Sequence, residues 1–386
     1  VGLLTRNIVI EGVAQEASGF GGHLMAVGTP RKYQLRGAEI INMGQKGHLG
    51  RYPVHLHLSG DVSGIGAYVY DNSIHDSYQR CITIHGTHGL RVRRNVNYKA
   101  VGHCIFIEDG GETKNIIEHN LIIEVARGAL LPSDSSATGM WITHPDNTIR
   151  HNHVAGVNSH CMWIALPEHP TGPSANPLVW NRKIPLGPFE GNVVHGCAGD
   201  GLHVDNGPRP DQTLEGSNYF PQVHNNADGA YVSPIVSVVR DFHAWKVRGR
   251  GVWCRCGLNF EGLFTGDCGT GFIFASNKEN YVPTIIGGVF VAETPNLGEP
   301  KNWEAKGLNG RSTPKTSTAG GIWDGEKFPI RGFSFYDGPS KLENSRFWGF
   351  SDNAQRTAGS MSILWKNAFH LARFNFLDTV KFYTSK

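Results

Sequence analysis

The amino-acid sequence predicts an all-β fold: a solenoid of stacked coils with long projecting loops. Three observations predict it. Asn72, Asn95, Asn120, Asn152 and Asn192 each stand ten residues before an apolar position, namely Ile82, Ile105, Leu130, Met162 and Leu202. Short alternating segments accompany four of those positions, CITIH, CIFIED, CMWIA and GLHVD, after turns rich in Gly, His and Ala. The composition agrees, because 49 glycines, only 18% charged residues and strands built on Val, Ile and Phe leave room for few helices. A fixed offset marks a repeating coil, in which equivalent positions stack about 4.8 Å apart.

The elements follow in order. Residues 1–50 read as opening turns, NIVIEG, HLMAVG and LRGAEIINMG, each a short strand closed by glycine. The register is clearest over 51–207. Residues 129–138 (ALLPSDSSAT) lengthen one turn, so its strand falls at 140–143. Residues 167–189 are proline-rich and read as a loop leaving the coil, and 208–230 as a second. Later turns include HAWKVRG, GVWCRCGLNF, TGFIFASN, IIGGVFVAE, RGFSFYDGP and SMSILWKN, and the polar, Gly-rich stretch 293–328 reads as a long loop or lid. No linker composition interrupts the chain, so 1–386 is taken as one β-helix domain. Its opening, already strand-like, suggests a piece of a larger protein.

Charge and cysteines narrow the class. A net charge of +3 lacks the dense Lys/Arg footprint of a nucleic-acid binder, and no apolar run approaches the length of a membrane span. Of the seven cysteines, Cys81 and Cys104 both lie nine residues after their register asparagines. That places them on successive turns, at a spacing that fits a disulfide or two stacked free thiols.

The alternation also sorts side chains inside from outside. An apolar lumen takes Val54, Leu56 and Leu58 from VHLHL, Ile82 and Ile84 from CITIH, and Ile105 and Ile107 from CIFIED. Two outer columns remain. One runs His57, His85, Glu108, Thr143, Ala165 and Asp205; the other runs His55, Thr83, Phe106, Trp141, Trp163 and His203. Two imidazoles and a carboxyl on adjacent turns would tune one another's proton affinity. Three outward aromatics would form a platform on which sugar rings stack. Arg51 and Asp61 bracket the first strand, while Asp109 and Asn206 follow theirs at turn positions. Together these residues suggest a groove for an extended carbohydrate. The basic run Arg91, Arg93, Arg94 reads as a solvated face.

A divalent metal is the one cofactor the pattern raises. His55 and His57 share a strand face, and His85 or Glu108 would add a ligand from the next turn, as zinc requires. Calcium needs several oxygens, and the register does not bring Asp109, Asp134 and Asp205 together. Cys254-x-Cys256 has no partner motif at zinc spacing.

The strings RYPVHLHLSGD, RCITIHGTHGL, GHCIFIEDG, LLPSD, EHPTGPS, VDNG and FPIRGFSFYDGP extend this reading. They resemble the right-handed, single-stranded parallel β-helix region of the family that includes the cell-migration-inducing hyaluronan-binding protein, the transmembrane cell-surface hyaluronidase and fibrocystin-L. The likeness spans nearly the whole chain, and the opening VGLLTRNIVIEG resembles the segment that follows the G8 module in that family. It implies an extracellular or cell-surface β-helix that binds or depolymerises hyaluronan or a related glycosaminoglycan. His55, His57, His85, Glu108, Asp109 and Asp205 fall inside the shared motifs. After LLPSD the chain passes quickly to MWITHP, which is closer to fibrocystin-L and leaves the substrate open.

Three classes of function follow. A glycoside hydrolase would use Glu108 as acid, with Asp109 or a His-activated water opposite, since Glu108 and Asp205 lie about 14 Å apart in this register. A lyase would use His85 or His57 as base, with Arg51 neutralising the uronate carboxylate. A glycosaminoglycan-binding or structural module would do no chemistry.

Overall fold

Buried asparagines set the winding. The computed structural model describes residues 2–13, 18–225, 229–275, 278, 280–294, 317–318, 321–322, 330–352, 357–364, 369 and 371–384. Within it the five register asparagines form a ladder. Asn72 donates its backbone N–H and its amide to Asn95 Oδ1 at 3.1 and 3.0 Å, and Asn95 does the same to Asn120. Asn120 then donates to Asn152, and Asn152 to Asn192. Each amide also reaches a backbone carbonyl of the third sheet: Asn95 to Val69, Asn120 to Val92, Asn152 to Ile117. Asparagine is suited to this place because it offers both an acceptor and two donors to buried backbone. The residues just before the rungs, Asp71, Arg94, His119 and His151, all have φ between 53° and 59°, the left-handed conformation that turns the chain into the next strand.

The chain forms two compact units, Val1–Asn192 with Asn206–Ser217, and Val193–Asp205 with Asn218–Lys386, where the repeat pattern alone reads 1–386 as one domain. Each is a parallel β-helix of three sheets. In the first unit one sheet contains Ile8–Glu11, Ala38–Ile41, Ser73–Ser77, Val96–Val101, Leu121–Ala126 and His153–Val157. The second sheet, which carries the candidate site, contains Leu24–Val27, Val54–Asp61, Ile82–His88, Ile105–Ile107, Met140–Ile142 and Met162–Ile164. The third runs from Gln34–Arg36 through Arg91–Arg93 to Phe189–Glu190. The second unit repeats the plan, with Arg250–Cys254, Thr270–Phe274, Ile330–Phe335 and Ala358–Ile363 as successive parallel strands.

Pairing follows the predicted register. Val54 faces Ile82, Ile82 faces Ile105, Ile105 faces Met140 and Met140 faces Met162, all buried. Val69, Val92, Ile117, Ile149 and Phe189 make the matching stack in the third sheet. Leu58 is a correction. It is 40% exposed with φ +53, because the ladder shifts between His57 and Gly60 and the alternation breaks there.

The loops are more ordered than their composition suggests. Residues 129–138 hold a 3₁₀ turn, Pro132–Ser136, and the strand that follows is Met140–Ile142. Residues 167–189 hold two such turns, Gly172–Ser174 and Asn181–Lys183. The 208–230 segment contributes to two hairpins, Gly207–Pro208 with Leu214–Glu215 and Gln222–His224 with Tyr231–Pro234. Most of 293–328 lies outside the described residues. Of the two arrangements open to Cys81 and Cys104 the disulfide is the one formed, Cys254 pairs with Cys256 and so offers no metal ligands, and Cys268 is a buried free thiol. Arg94 pairs with Asp71 at 2.6 Å and Arg93 with Glu118 at 3.4 Å on an exposed face, where ion pairs add little. No helix among the described residues is long and apolar enough to cross a membrane.

The ladder makes a direct prediction. Asn120→Ala strands the buried N–H of Asn95 and carbonyl of Val92, each worth roughly 1–3 kcal/mol when left unsatisfied, so a loss of about 2–4 kcal/mol is expected. Denaturant unfolding checks it against Asn176→Ala on the exposed loop, which should change little.

Candidate functional site

The second sheet brings four polar side chains to one place. His57 pairs directly with His85 across adjacent strands, and Glu108 N–H binds Ile84 O on the next turn, so the outer column begins as the sequence predicts. His57 Nδ1 lies 3.0 Å from His85 Nδ1. Glu108 Oε2 lies 3.6 Å from His85 Nδ1. His55, two residues before His57 on the same strand, adds a third ring: its centroid is 5.1 Å from that of His57 and 6.0 Å from that of His85.

Two of the three imidazoles are oriented from behind. His55 Nδ1 donates to Gly50 O at 2.9 Å, which leaves Nε2 buried with no hydrogen-bond partner. His85 Nε2 donates to Asp109 Oδ2 at 2.9 Å. Asp109 in turn is held by the 167–189 loop, through Ser174 N–H to Oδ2 and Thr171 N–H to its backbone oxygen. Gly172 passes so close that a Cβ there would come within 2.6 Å of Asp109 Oδ1. Asp109 is therefore roofed and fixes the His85 ring; it does not stand opposite Glu108 across an open groove.

Burial and charge separate the proton affinities. Burial pulls His55 down to about 4 and lowers His57, with the charge of His85 acting in the same direction on both. Burial also opposes the His85 imidazolium, but the bond to Asp109 and the charges of Glu108, Asp109 and Glu112 outweigh it, and its pKa is raised. Burial raises Glu108, against the pull of His85 and Arg80. One Glu108 oxygen, Oε2, is shielded and has no hydrogen-bond partner.

The aromatic column is the main correction. Phe106, Trp141 and Trp163 do stack in register, but each is 2% exposed and packed under Leu131 and Leu214. The 129–138 loop and the Leu214 hairpin cover them, because an open stripe of three large rings would leave much apolar surface in water. His103 stacks on Phe106 and Trp141, and the Arg80 guanidinium lies 3.8 Å from the Phe106 ring centre. Arg80 makes a two-pronged bond to Asp134 at 2.7 and 3.2 Å, which ties the LLPSD turn down over the stack.

Arg51 is exposed, with a guanidinium nitrogen 3.2 Å from His23 Nε2. Asn206 takes φ +51 at a turn. His203 and Asp205 belong to the second unit and are buried: His203 Nδ1 lies 2.7 Å from Asp200 Oδ2, while Asp205 Oδ2 accepts from Trp253 Nε1 and Arg255 Nε at 2.9 Å each. Asp109 and Asp134 are tied to different partners, His85 and Arg80.

Several residues near the cluster escape a sequence reading. Glu112 is fully buried, and its carboxyl accepts from the N–H groups of Gly86, Asp109 and Gly110; burial still raises it to about 7. Its signal is the DGGE string, in which the carboxyl follows a double-glycine turn and can cap it. Tyr52 packs 5.0 Å from His55, and burial lifts its hydroxyl to about 12. His23 precedes Leu24–Val27, the strand paired with Val54–Asp61, and no repeat motif marks it.

The site can be compared with known proteins. Residues 19–202 match the CEMIP β-helix family, a span that holds His55, His57, His85, Glu108 and Asp109. Over 99% of its length the chain is 33% identical to "Cell surface hyaluronidase CEMIP2" of Homo sapiens and 30% identical to "Cell migration-inducing and hyaluronan-binding protein" of Mus musculus, covering 32% of each. It is 42% identical to fibrocystin-L of Homo sapiens over 64% of this chain and 5% of that protein. The chain thus spans about a third of the length of the first two.

Two predictions follow from the covered stack. Trp163→Ala should cost about 3–5 kcal/mol of stability, as truncation of a buried aromatic does, where an exposed platform residue would cost little. Asp134 is buried, which opposes its charge, yet Arg80 holds its carboxyl below the ordinary 3.8. A depressed folded-state pKa means the stability it gives is fully present above 3.8 and is lost as the pH falls through the folded value. Asp134→Asn should therefore cost about 3–5 kcal/mol at neutral pH and flatten the acid limb of an unfolding titration.

Proposed function

Because the chain belongs to the CEMIP β-helix family, we propose that it binds and depolymerises hyaluronan or a related glycosaminoglycan at the histidine face of the second sheet. One observation carries this reading. Three imidazoles and the shielded carboxyl of Glu108 share one face of the coil, and His85 is oriented from behind by Asp109. A plain stacked ladder on a solenoid has no need of such an arrangement. Two relatives bear names that state hyaluronidase or hyaluronan binding, which supports the substrate class.

The reaction is glycosidic hydrolysis. Glu108 gives its proton to the glycosidic oxygen as the bond from that oxygen to the anomeric carbon breaks. A water held at the histidines attacks the anomeric carbon and passes its proton to imidazole, leaving two shortened chains with ordinary hydroxyl ends. Asp109 is a positioning residue, since its carboxylate keeps the His85 ring turned with Nδ1 toward His57 and Glu108. With Phe106, Trp141 and Trp163 roofed over, sugar recognition falls to polar groups around the cluster, Arg51 and His23 among them, and Arg51 would meet the uronate carboxylates. A cell-surface or extracellular location fits the disulfide between Cys81 and Cys104, a bond that persists in oxidising compartments.

Size-defined hyaluronan incubated with the protein tests this. Wild type should shorten it, and Glu108→Gln should lower the rate about 100- to 10,000-fold while retention of the polymer persists. An ultraviolet-absorbing unsaturated end would replace hydrolysis with elimination. Retention at unchanged chain length would leave a binding module only.

A further inference from the structure

We propose that His55, His57 and His85 bind one divalent transition-metal ion of the zinc type. One nitrogen from each of the three rings lies within 4.8 Å of the others. Hydrogen bonding fixes which nitrogens face inward. Gly50 O can only accept, so His55 Nδ1 carries the hydrogen and the buried Nε2 presents a lone pair with no partner. Asp109 accepts from His85 Nε2 in the same way, so His85 Nδ1 presents its lone pair toward His57 Nδ1, 3.0 Å away. Glu108 adds a shielded oxygen, also without a hydrogen-bond partner, 3.6 Å from that nitrogen.

Three ring nitrogens thus converge on one point, His55 Nε2 among them with no hydrogen-bond partner, and one cation would accept all three lone pairs. With metal–nitrogen bonds of 2.0–2.1 Å in tetrahedral geometry, two ligand nitrogens sit about 3.3 Å apart, so the His57 and His85 rings need shift only by a few tenths of an ångström. The backs of two rings already have the outer partners of metal-bound histidine, a backbone carbonyl and a carboxylate. Nitrogen donors in this number select zinc-type ions and not calcium, which takes six or more oxygens. Glu108 borders the fourth position, which a water or the substrate would occupy.

Binding of the ion stands on this geometry alone; its service in hydrolysis, as the group that activates the attacking water, rests on the reading above. Cobalt(II), added to the chelator-treated and desalted chain, tests the two separately. Wild type should take up one equivalent and show the visible bands of a four-coordinate site. His55→Ala, His85→Ala and the part-exposed His57→Ala should each lose them, and Asp109→Asn should weaken uptake about 10- to 100-fold, all with unfolding curves confirming a folded chain. No uptake by wild type, or uptake unchanged in the folded His57→Ala variant, overturns the site. Cobalt uptake with no shortening of hyaluronan overturns the hydrolase reading and leaves the site intact; shortening by protein that takes up no metal does the reverse.

Discussion

The asparagine ladder is the constraint on which the first unit depends. A solenoid turn must bury backbone groups at its corner that no strand partner can reach, and an unpaired buried N–H or carbonyl is costly. One asparagine per coil solves this by joining the rung below to the rung above and also to a carbonyl of the third sheet. Asn115 and Asn147 do related work elsewhere on the coil, with Asn115 N–H on Asn147 Oδ1 and the Asn115 amide on Thr87 O. Once the corners are locked, the strands between them can pair in only one register, because a slip of one residue would turn Ile82, Ile105 and Met140 out of the lumen. The meeting of His57 with His85 is a consequence of that lock.

Loops then decide what the outer columns are for. At the aromatic column, the 129–138 turn is pinned by Arg80 and Asp134, and the rings beneath become a second, external core. At the histidine column, the 167–189 loop covers Asp109 and stops short of His57, which remains part-exposed. The second unit has a similar device, with Arg250 bonded to Asp200 and its guanidinium 4.2 Å from the Trp253 ring centre. A buried Arg–Asp pair laid on an aromatic ring thus recurs in both units: in the first it ties a loop to the coil, and in the second it links the turn before Leu202–Val204 to the paired strand Arg250–Cys254.

The sequence made the fold and half of the site legible for one reason: both depend on period. The ten-residue offset places His85 and Glu108, and the alternation of VHLHL places His57, on one face of the coil, because strand pairing is a matter of counting. What it could not place depends on how loops return to the coil. Phe106, Trp141 and Trp163 read as an open platform because alternation tells inside from outside the coil, but not outside from solvent. Asp205 reads as a groove carboxylate, yet Trp253 and Arg255, about fifty residues later, are its partners. Leu58 fails for a local reason, a break in the ladder that no residue type announces. Glu112 is fixed by three N–H groups from two separate turns, a relation that only folded coordinates bring together.

The spacing between rungs is unequal: 23, 25, 32 and 40 residues separate the five asparagines, while the rung-to-rung bonds stay the same. The coil therefore counts corners, not residues. Insertions can be taken up between any two corners without changing which strands lie side by side. Such a scaffold lets evolution lengthen, shorten or exchange the arms around the histidines while their mutual distances are inherited unchanged, so related chains can diverge in what they grip and keep the same chemical centre.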